Sequence, residues 1–482
     1  MGTGHVMRCL ALAQGWQDLG GCVDLLSAEL PEALADRCRG EGIGVQRLAP
    51  GEPDAERTAA LAAQADWLVV DGYHFEASYL RRVAGAGSRV LQIDDLGFAG
   101  GCEATLILNQ NLTASPLLYP GVTEPEQLLL GGRHALLRRE FRAPRPERSF
   151  DGPARRVLVS FGGSDPCDFT RRAIEALLQC PELQARVVVG AANPRLEVLR
   201  ALAAPAAGRL EVLSAVSEMV PQMDWADLAL GAGGSSVLEL AARGLPALIV
   251  AIADNQTAIS TALHERGLMR SLGWHEKVDA ATLAGALREI AADASARARF
   301  SAAALELADG RGALRVVAEM LARTALDRLR LRPATEEDAR LLLDWANDPV
   351  ARAASFQGGA IAWEDHVAWL GRRLADPDCL LRQVETPGGE PVGVVRFDLG
   401  ADGVATISLN LAPEQRGRGL AAPLILAACH EWRRMHPGTT VRALIKPGNE
   451  ASQKAFARAG FEPAEDVVVA GQAARCMIQR WA

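Results

Sequence analysis

No stretch of the 482 residues approaches the ~20 consecutive apolar residues that would cross a bilayer. The opening residues carry no basic segment followed by an apolar one, which speaks against a secretory signal. A cytoplasmic protein with no membrane partner is expected. Cysteine occurs nine times, an odd number without a C-x-x-C pair, so neither a disulfide framework nor a cysteine zinc site is expected. Histidine is scarce, and His74, His134 and His264 form no ligand spacing, so no metal is expected. Positive charge is also in deficit. With 51 Lys+Arg against 59 Asp+Glu, the net charge of -8 excludes general nucleic-acid binding, which needs a basic face, while local basic pockets for a diphosphate stay open. What is present, 49% hydrophobic and 23% charged residues, is the composition of a soluble globular protein. The length suggests roughly three domains.

From Cys22 to Arg142, short apolar runs alternate with Ala/Leu/Arg-rich helical stretches. Strands are predicted at VDLLSA from Val23, WLVVDGY from Trp67, VLQIDDL from Val90 and TLILNQN from Thr105, a pattern of parallel strands with crossover helices. EFRAPRPERSFDGPARR, residues 140–156, reads as a linker. The alternation then restarts with RVLVSFGGSDP, RVVVGAANP, LEVLSAV, DLALGAGGSS and PALIVAIADNQ, and ends in a helical stretch reaching Leu326. From Leu329 the pattern becomes α+β, with a Gly-Gly hairpin turn in RQVETPGGEPVGVVRFDLG and helices near 421–436 and 450–459. The predicted domains are therefore 1–142, 155–326 and 329–482. Two doubly wound units joined by a short linker leave a cleft, a common ligand site.

The chain opens MGTGHVMRCLALAQGW. Gly2 and Gly4 permit a tight turn, and a helix starting near His5 offers free N–H groups and a positive dipole end. At the mouth of a cleft the neutral imidazole of His5 can accept a proton near pH 7. Taken alone, G-x-G-H more often describes a histidine capping a surface helix. A second loop adds weight. In GAGGSSVLEL, residues 231–240, a strand runs into a helix, so Gly233, Gly234, Ser235 and Ser236 are placed to offer backbone N–H groups to an anion. Glu239, one turn on, can accept from a ribose diol. FGGSDP, residues 161–166, follows a strand in the same way.

In this order, GTGHVMRCLALA, VVDGYHF, QIDDL, ILNQN, LLRREF, VSFGGSDP, GAGGSSVLELAARGLPALIV and DNQ make residues 1–325 resemble the nucleotide-sugar hydrolases of pseudaminic acid biosynthesis. The resemblance implies a GT-B fold, that is, two doubly wound Rossmann-like domains. It also implies hydrolysis of UDP-2,4-diacetamido-2,4,6-trideoxy-β-L-altropyranose to UDP and free sugar, without a metal. It makes His5 the base that activates water for inverting C–O cleavage. Tyr73 and Asn255 become residues of the sugar site, and the GAGGSS loop with Glu239 becomes the UDP-binding segment. Two departures stand out. His134 occupies a position where the family has tyrosine, and relatives carry a β-strand before the GTGH turn. An absent interior strand would leave its neighbours unpaired, so a native chain longer by roughly ten to fifteen residues is expected. As the sequence stands, His5 is expected to be poorly anchored.

LNLAPEQRGRGLAAPLI, residues 409–425, leaves the N–H groups of 417–421 free to hold a pyrophosphate between a strand and a helix. IKPGNEASQKAFARAGF follows at 445–461. Together they make residues 329–482 resemble the GNAT acetyltransferases, an α+β fold. That resemblance implies acetyl-CoA as cosubstrate, its pyrophosphate on Arg416, Gly417, Gly419 and Ala421, and its pantetheine arm beside Asn449 and Ser452. Residues 344–370 resemble the sugar-facing region of the acetyltransferase acting on a UDP-4-amino sugar, which makes Trp345, Asn347, Phe356, His366 and Trp369 candidate sugar contacts. Aromatic spacing on a helix also describes a core. Many family members have a tyrosine acid where Phe456 stands, and phenylalanine has no proton to give. The combined expectation is a bifunctional enzyme of pseudaminic acid biosynthesis that N-acetylates a UDP-linked amino sugar and hydrolyses the product. A GT-B glycosyltransferase, or a non-catalytic nucleotide-sugar-binding unit, fused to the acetyltransferase is the alternative.

Overall fold

The computed structural model describes residues 3–49, 52, 54–97, 104–163, 165–190, 193–214 and 216–479. The chain forms two compact units, Met1–Gly15 with Val23–Ala313, and Trp16–Cys22 with Leu314–Ala482. The fold class is the expected one: α/β with parallel sheets in the first unit, α+β in the second.

The chain enters through α1 (Thr3–Asp18), β1 (Asp24–Ser27), α2 (Glu32–Gly40), β2 (Gly44–Arg47), α3 (Asp54–Ala62), β3 (Trp67–Asp71), α4 (Ala77–Ala84), β4 (Arg89–Ile93), β5 (Leu106–Asn109) and β6 (Leu128–Leu130). β1 and β2 form a two-stranded parallel sheet, and β3-β4-β5-β6 a four-stranded one. The chain continues through β7 (Arg156–Ser160), α5 (Phe169–Leu178), β8 (Gln184–Val189), α6 (Leu196–Ala203), β9 (Leu210–Ser214), α7 (Val220–Trp225), β10 (Leu228–Ala232), α8 (Ser236–Ala242), β11 (Ala247–Ala251), α9 (Asp254–Glu265) and β12 (Arg270–Trp274). These strands make a six-stranded parallel sheet in the order β12-β11-β10-β7-β8-β9. The chain runs outward from β7 to β9 and returns to the other side of β7 with β10. The carboxyl ends of β7 and β10 therefore flank the switch point of the sheet, where ligands bind in such folds. All residues of β10 and β11 are buried, as continuous apolar runs in a sheet covered on both faces should be. α10 (Ala280–Ala292), α11 (Ala294–Leu307) and α12 (Gly312–Leu326) follow.

Every predicted strand is present. β2, β6 and β12 were not predicted, because GVQR, LLL and RSLGW are too short or too polar to show a period of two. The predicted linker is anchored: Arg148 donates to the carbonyls of Ala226, Met223 and Arg243. The fully buried Arg243 pairs with Asp224 and donates back to Ala143 and Pro144.

The second unit contains β13 (Arg330–Pro333), α13 (Ala339–Ala346), α14 (Pro349–Ala354), α15 (Trp363–Ala375), β14 (Cys379–Glu385), β15 (Pro391–Leu399), β16 (Ala405–Leu411), α16 (Ala421–Met435), β17 (Val441–Ile445), α17 (Glu450–Arg458), β18 (Glu462–Pro463), β19 (Val467–Val469) and β20 (Gln472–Gln479). The sheet order is β13-β14-β15-β16-β17-β20-β18, with β19 on β20. The Gly-Gly turn joins β14 to β15, with Gly389 at φ 85°. β16 and β17 are parallel and pair only at 405–407 with 441–443. Beyond that point they part, which leaves a notch in the sheet at the carboxyl end of β17. The core stacks Phe397 on Trp432 among the apolar faces of α16 and the sheet.

Candidate active sites

His5 lies in the first turn of α1, with Arg8 one turn further on the same face. Three strands of the four-stranded sheet end against this face. Asp71, the last residue of β3 and 6% exposed, accepts from His5 Nδ1 at 2.8 Å and from Arg8 Nε and Nη2 at 2.7 and 2.5 Å. Asp95 follows β4, on a turn fixed by Asp94 Oδ1 accepting from the N–H groups of Leu96 and Gly97. It takes Arg8 Nη1 at 2.8 Å, the Tyr73 hydroxyl at 2.8 Å and Asn111 Nδ2 at 3.2 Å. Tyr73 closes the ring, edge-on to His5 at 5.0 Å between centroids. The expectation that His5 is poorly anchored is corrected: a buried carboxylate and a phenol ring hold it.

Arg8 stands between the two carboxylates and pairs with both. Burial alone would raise the Asp71 carboxyl, but hydrogen bonds from Arg8 and His5 hold it below the usual carboxylate range. Burial and the Asp95 carboxylate push the Tyr73 phenol up to about 12, so it is a neutral donor at physiological pH. Cys9, 3.4 Å from Asp71, is raised well above a normal thiol by burial and by that carboxylate. It is no nucleophile.

The GAGGSS loop connects β10 to α8 at the switch point. A Cβ built on Gly4 would lie 3.9 Å from Ser235 Oγ, so the start of α1 and this loop adjoin. Gly233 departs from expectation. Its N–H donates to Val250 O at 3.1 Å and is engaged in the fold, which leaves the turn at 234–236 to face an anion. What Gly233 supplies is space, because a Cβ there would meet Ser260 Oγ at 2.1 Å. Glu239 receives Arg138 Nη2 at 3.1 Å. Burial raises its carboxyl, Arg138 opposes the rise and Glu140 adds to it. Asn255 is exposed at the start of α9, and its neighbour Gln256 backs the glycine loop and accepts from Ile252 N. The other loop, 161–168, also ends at the switch point. Both oxygens of Asp165 cap α5, at Phe169 N (2.9 Å) and Thr170 N (2.8 Å), so a carboxylate of the protein already sits at that helix start. Ser164 lies outside the described residues. His134 fills the tyrosine position with a contact from Nδ1 to Leu130 O.

In the second unit Gly417 and Gly419 adopt φ 72° and 75° before α16, a conformation that needs glycine. Ala421 opens that helix. Successive N–H groups on such a turn form an anion-binding concavity, and the parting of β16 and β17 gives an extended ligand arm a place to lie. Arg416 departs from expectation, since its side chain turns inward to Asp348 and to Leu411 O and holds the loop. Asn449 caps α17 by accepting from Ser452 N at 3.1 Å. Phe456 is buried edge-on to Phe461. Of the candidate sugar contacts, Trp345 and His366 are interior and are corrected to core residues. Trp345 packs with Leu342, Leu370 and Leu381, and His366 is 3% exposed, its burial depressing its basicity. Asn347 pins both backbone groups of Ile361. Phe356 and Trp369 are half-buried. Among the described residues no group of three or more His, Cys, Asp or Glu is placed to hold a metal, and no helix is long and apolar enough to cross a membrane.

The sequence-based expectations omitted Arg8, Asp71, Asp95, Asn111, Arg138 and Gln256. For Asp71 and Asp95 one signal exists: a charged residue ending an otherwise apolar strand, as in WLVVD and VLQIDD.

The molecule thus joins a parallel α/β unit to a GNAT acetyltransferase domain, the latter matched over residues 328–462 by the acetyltransferase (GNAT) domain family. The first unit is related in sequence to the spore coat polysaccharide biosynthesis protein SpsG of Bacillus subtilis, 28% identical over 191 residues, covering 39% of this chain and 56% of SpsG. It is also related to the UDP-N-acetylglucosamine–N-acetylmuramyl-(pentapeptide) pyrophosphoryl-undecaprenol N-acetylglucosamine transferase of Stutzerimonas stutzeri, 35% identical over 153 residues, covering 30% of this chain and 42% of that protein. The chain spans about half the length of these curated relatives. The crystal structure of MurG from Acinetobacter baumannii aligns over 65% of this chain and 95% of its own, at 18% identity and a TM-score of 0.48.

Proposed function

We propose that this protein is a bifunctional nucleotide-sugar enzyme. Its GNAT domain transfers the acetyl group of acetyl-CoA to the amine of a UDP-4-amino-4,6-dideoxy sugar. Its first unit hydrolyses the product, UDP-2,4-diacetamido-2,4,6-trideoxy-β-L-altropyranose. In the hydrolysis His5 Nε2 takes a proton from water as the water oxygen bonds to the anomeric carbon. The bond from that carbon to the diphosphate oxygen breaks, its electron pair leaves with UDP, and the anomeric centre inverts. The observation that carries this reading is the hydrogen-bonded His5–Asp71 pair at the start of α1, beside the Ser235 loop. A base adjoining an anion-binding turn is the arrangement that displacement of a diphosphate requires. The relation to the Stutzerimonas transferase favours a second reading, in which an acceptor hydroxyl replaces water.

Time-resolved proton NMR with acetyl-CoA and the UDP-4-amino sugar tests both. Acetylation followed by UDP release, with the inverted anomer appearing first, is expected, and His5→Asn should stop at the acetylated UDP-sugar. UDP release that waits for an added acceptor establishes the transferase reading, and acetylation without UDP release under either condition refutes the proposal for the first unit.

A further inference from the structure

Arg8 separates two carboxylates that serve different partners, and this division has a chemical consequence. Asp71 Oδ1 sits 2.8 Å from His5 Nδ1, while Arg8 Nη2 is 3.4 Å from the same nitrogen. A lone pair on Nδ1 would face a carboxylate oxygen at the closer distance, so Nδ1 carries the proton and donates it. The ring's one in-plane lone pair is then at Nε2, the basic nitrogen. Both Asp71 oxygens are taken by Arg8 as well, through Nε and Nη2, so the carboxylate cannot rotate away from His5. On its other edge Arg8 fixes Asp95 by two contacts from Nη1, at 3.0 and 2.8 Å, and Asp95 in turn accepts from Tyr73. The guanidinium fork matches this double task, since its donors point in fixed directions.

We propose that Asp71 is a positioning residue that locks His5 in the Nδ1–H tautomer with Nε2 facing the reacting water, and that Arg8 enforces the division of labour in which Asp71 serves His5 and Asp95 serves Tyr73. The inference rests on the reading of His5 as the base. The three charged residues bond to one another, to His5 and to Tyr73. Their effect passes through the orientation of the imidazole and the phenol, as in hydrolases where a carboxylate selects the histidine tautomer.

The test begins with the unmodified full chain labelled with 15N-histidine, the His5 signals identified by their loss in His5→Asn. At a pH where the ring is neutral, the 15N shifts are expected to show a protonated Nδ1 and a bare Nε2. The opposite tautomer in the wild-type protein overturns the proposal without reference to any variant. Asp71→Asn is expected to shift the tautomer ratio and to lower kcat for UDP release by ~10²-fold or more, with KM within about threefold. Asp95→Asn should leave the His5 tautomer unchanged. If Asp71→Asn alters neither tautomer nor kcat while His5→Asn abolishes UDP release, Asp71 is not the positioning residue and His5 remains the base. If the tautomer depends on Asp71 but His5→Asn releases UDP normally, the positioning stands and the reading of the reaction falls.

Discussion

Gly233 shows how one missing methyl group shapes the turn before α8. A Cβ at this residue would come within 2.1 Å of Ser260 Oγ and 3.4 Å of Ser260 Cβ, so α9 packs directly on the turn that precedes α8. The colliding atom is the Ser260 hydroxyl, which is buried on α9. Gly233→Ala is therefore expected to displace the loop and raise KM for the UDP-sugar by on the order of tenfold, matching the 1–3 kcal/mol typical of overpacking. Ser260→Gly, which removes the colliding atoms, should restore most of that loss in the double variant. Steady-state kinetics of the four forms checks this. Equal KM values throughout would mean that the loop does not hold the nucleotide.

The elements that carry the second unit begin with a capping box. Thr335 and Asp338 close the turn before α13, and the Asp338 carboxylate accepts from Thr335 N at 2.8 Å and from Arg332 through both oxygens at 2.8 and 2.7 Å. Arg332 also reaches Glu385, tying β13 to β14. The Arg332 hydrogen bonds outweigh burial and hold the Asp338 carboxyl below its ordinary value. A depressed carboxyl contributes stability in full above its unfolded pKa, about 3.9, and loses it as pH falls through the lower folded value. Asp338→Asn should thus destabilise the second unit by about 1–3 kcal/mol near pH 7, and the difference from wild type should shrink below about pH 4. Hydrogen exchange resolved by peptide across 330–346 measures it. A difference that persists undiminished to the lowest pH at which the protein stays folded would assign the effect to shape instead of charge.

Elements were legible from the sequence where their signal is local. GAGGSS and RGRGLA each announce a strand, a turn and a helix within about ten residues, and the long apolar strands show themselves by composition. The His5 constellation is of another kind. Arg8 lies 63 positions from Asp71 and 87 from Asp95, so no window of periodicity contains both the helix residues and their strand-end partners. His5 could be suspected from its helix start, whereas Asp71 and Asp95 acquire meaning only when parallel strands bring their carboxyl ends together. The misreadings have the same origin. Trp345 and His366 share a helical face with leucines, and only packing against β14 decides between core and pocket.

At the scale of the whole molecule, the residues proposed for each reaction fall in one compact unit. His5, Asp71, Ser235 and Glu239 belong to the first, and Gly417, Gly419 and Asn449 to the second. Because the two sets of residues fall in different units, the two reactions are expected to be separable by single substitutions. Gly419 at φ 75° is suited to the purpose, because a β-branched residue in that left-handed conformation costs at least the roughly 1–2 kcal/mol of an ordinary side chain. Gly419→Val is expected to lower acetyl transfer at least about tenfold, while a pre-acetylated UDP-sugar still releases UDP at the wild-type rate. His5→Asn should do the reverse, keeping acetyl transfer within about twofold and accumulating the acetylated UDP-sugar to the full amount of acetyl-CoA consumed. Wild-type protein given the amino sugar and acetyl-CoA should show that intermediate only transiently. Progress curves of the three forms decide the matter. If Gly419→Val slows UDP release from the pre-acetylated sugar as much as it slows acetylation, the two sites are energetically one, and the independence inferred from their separate residues is wrong.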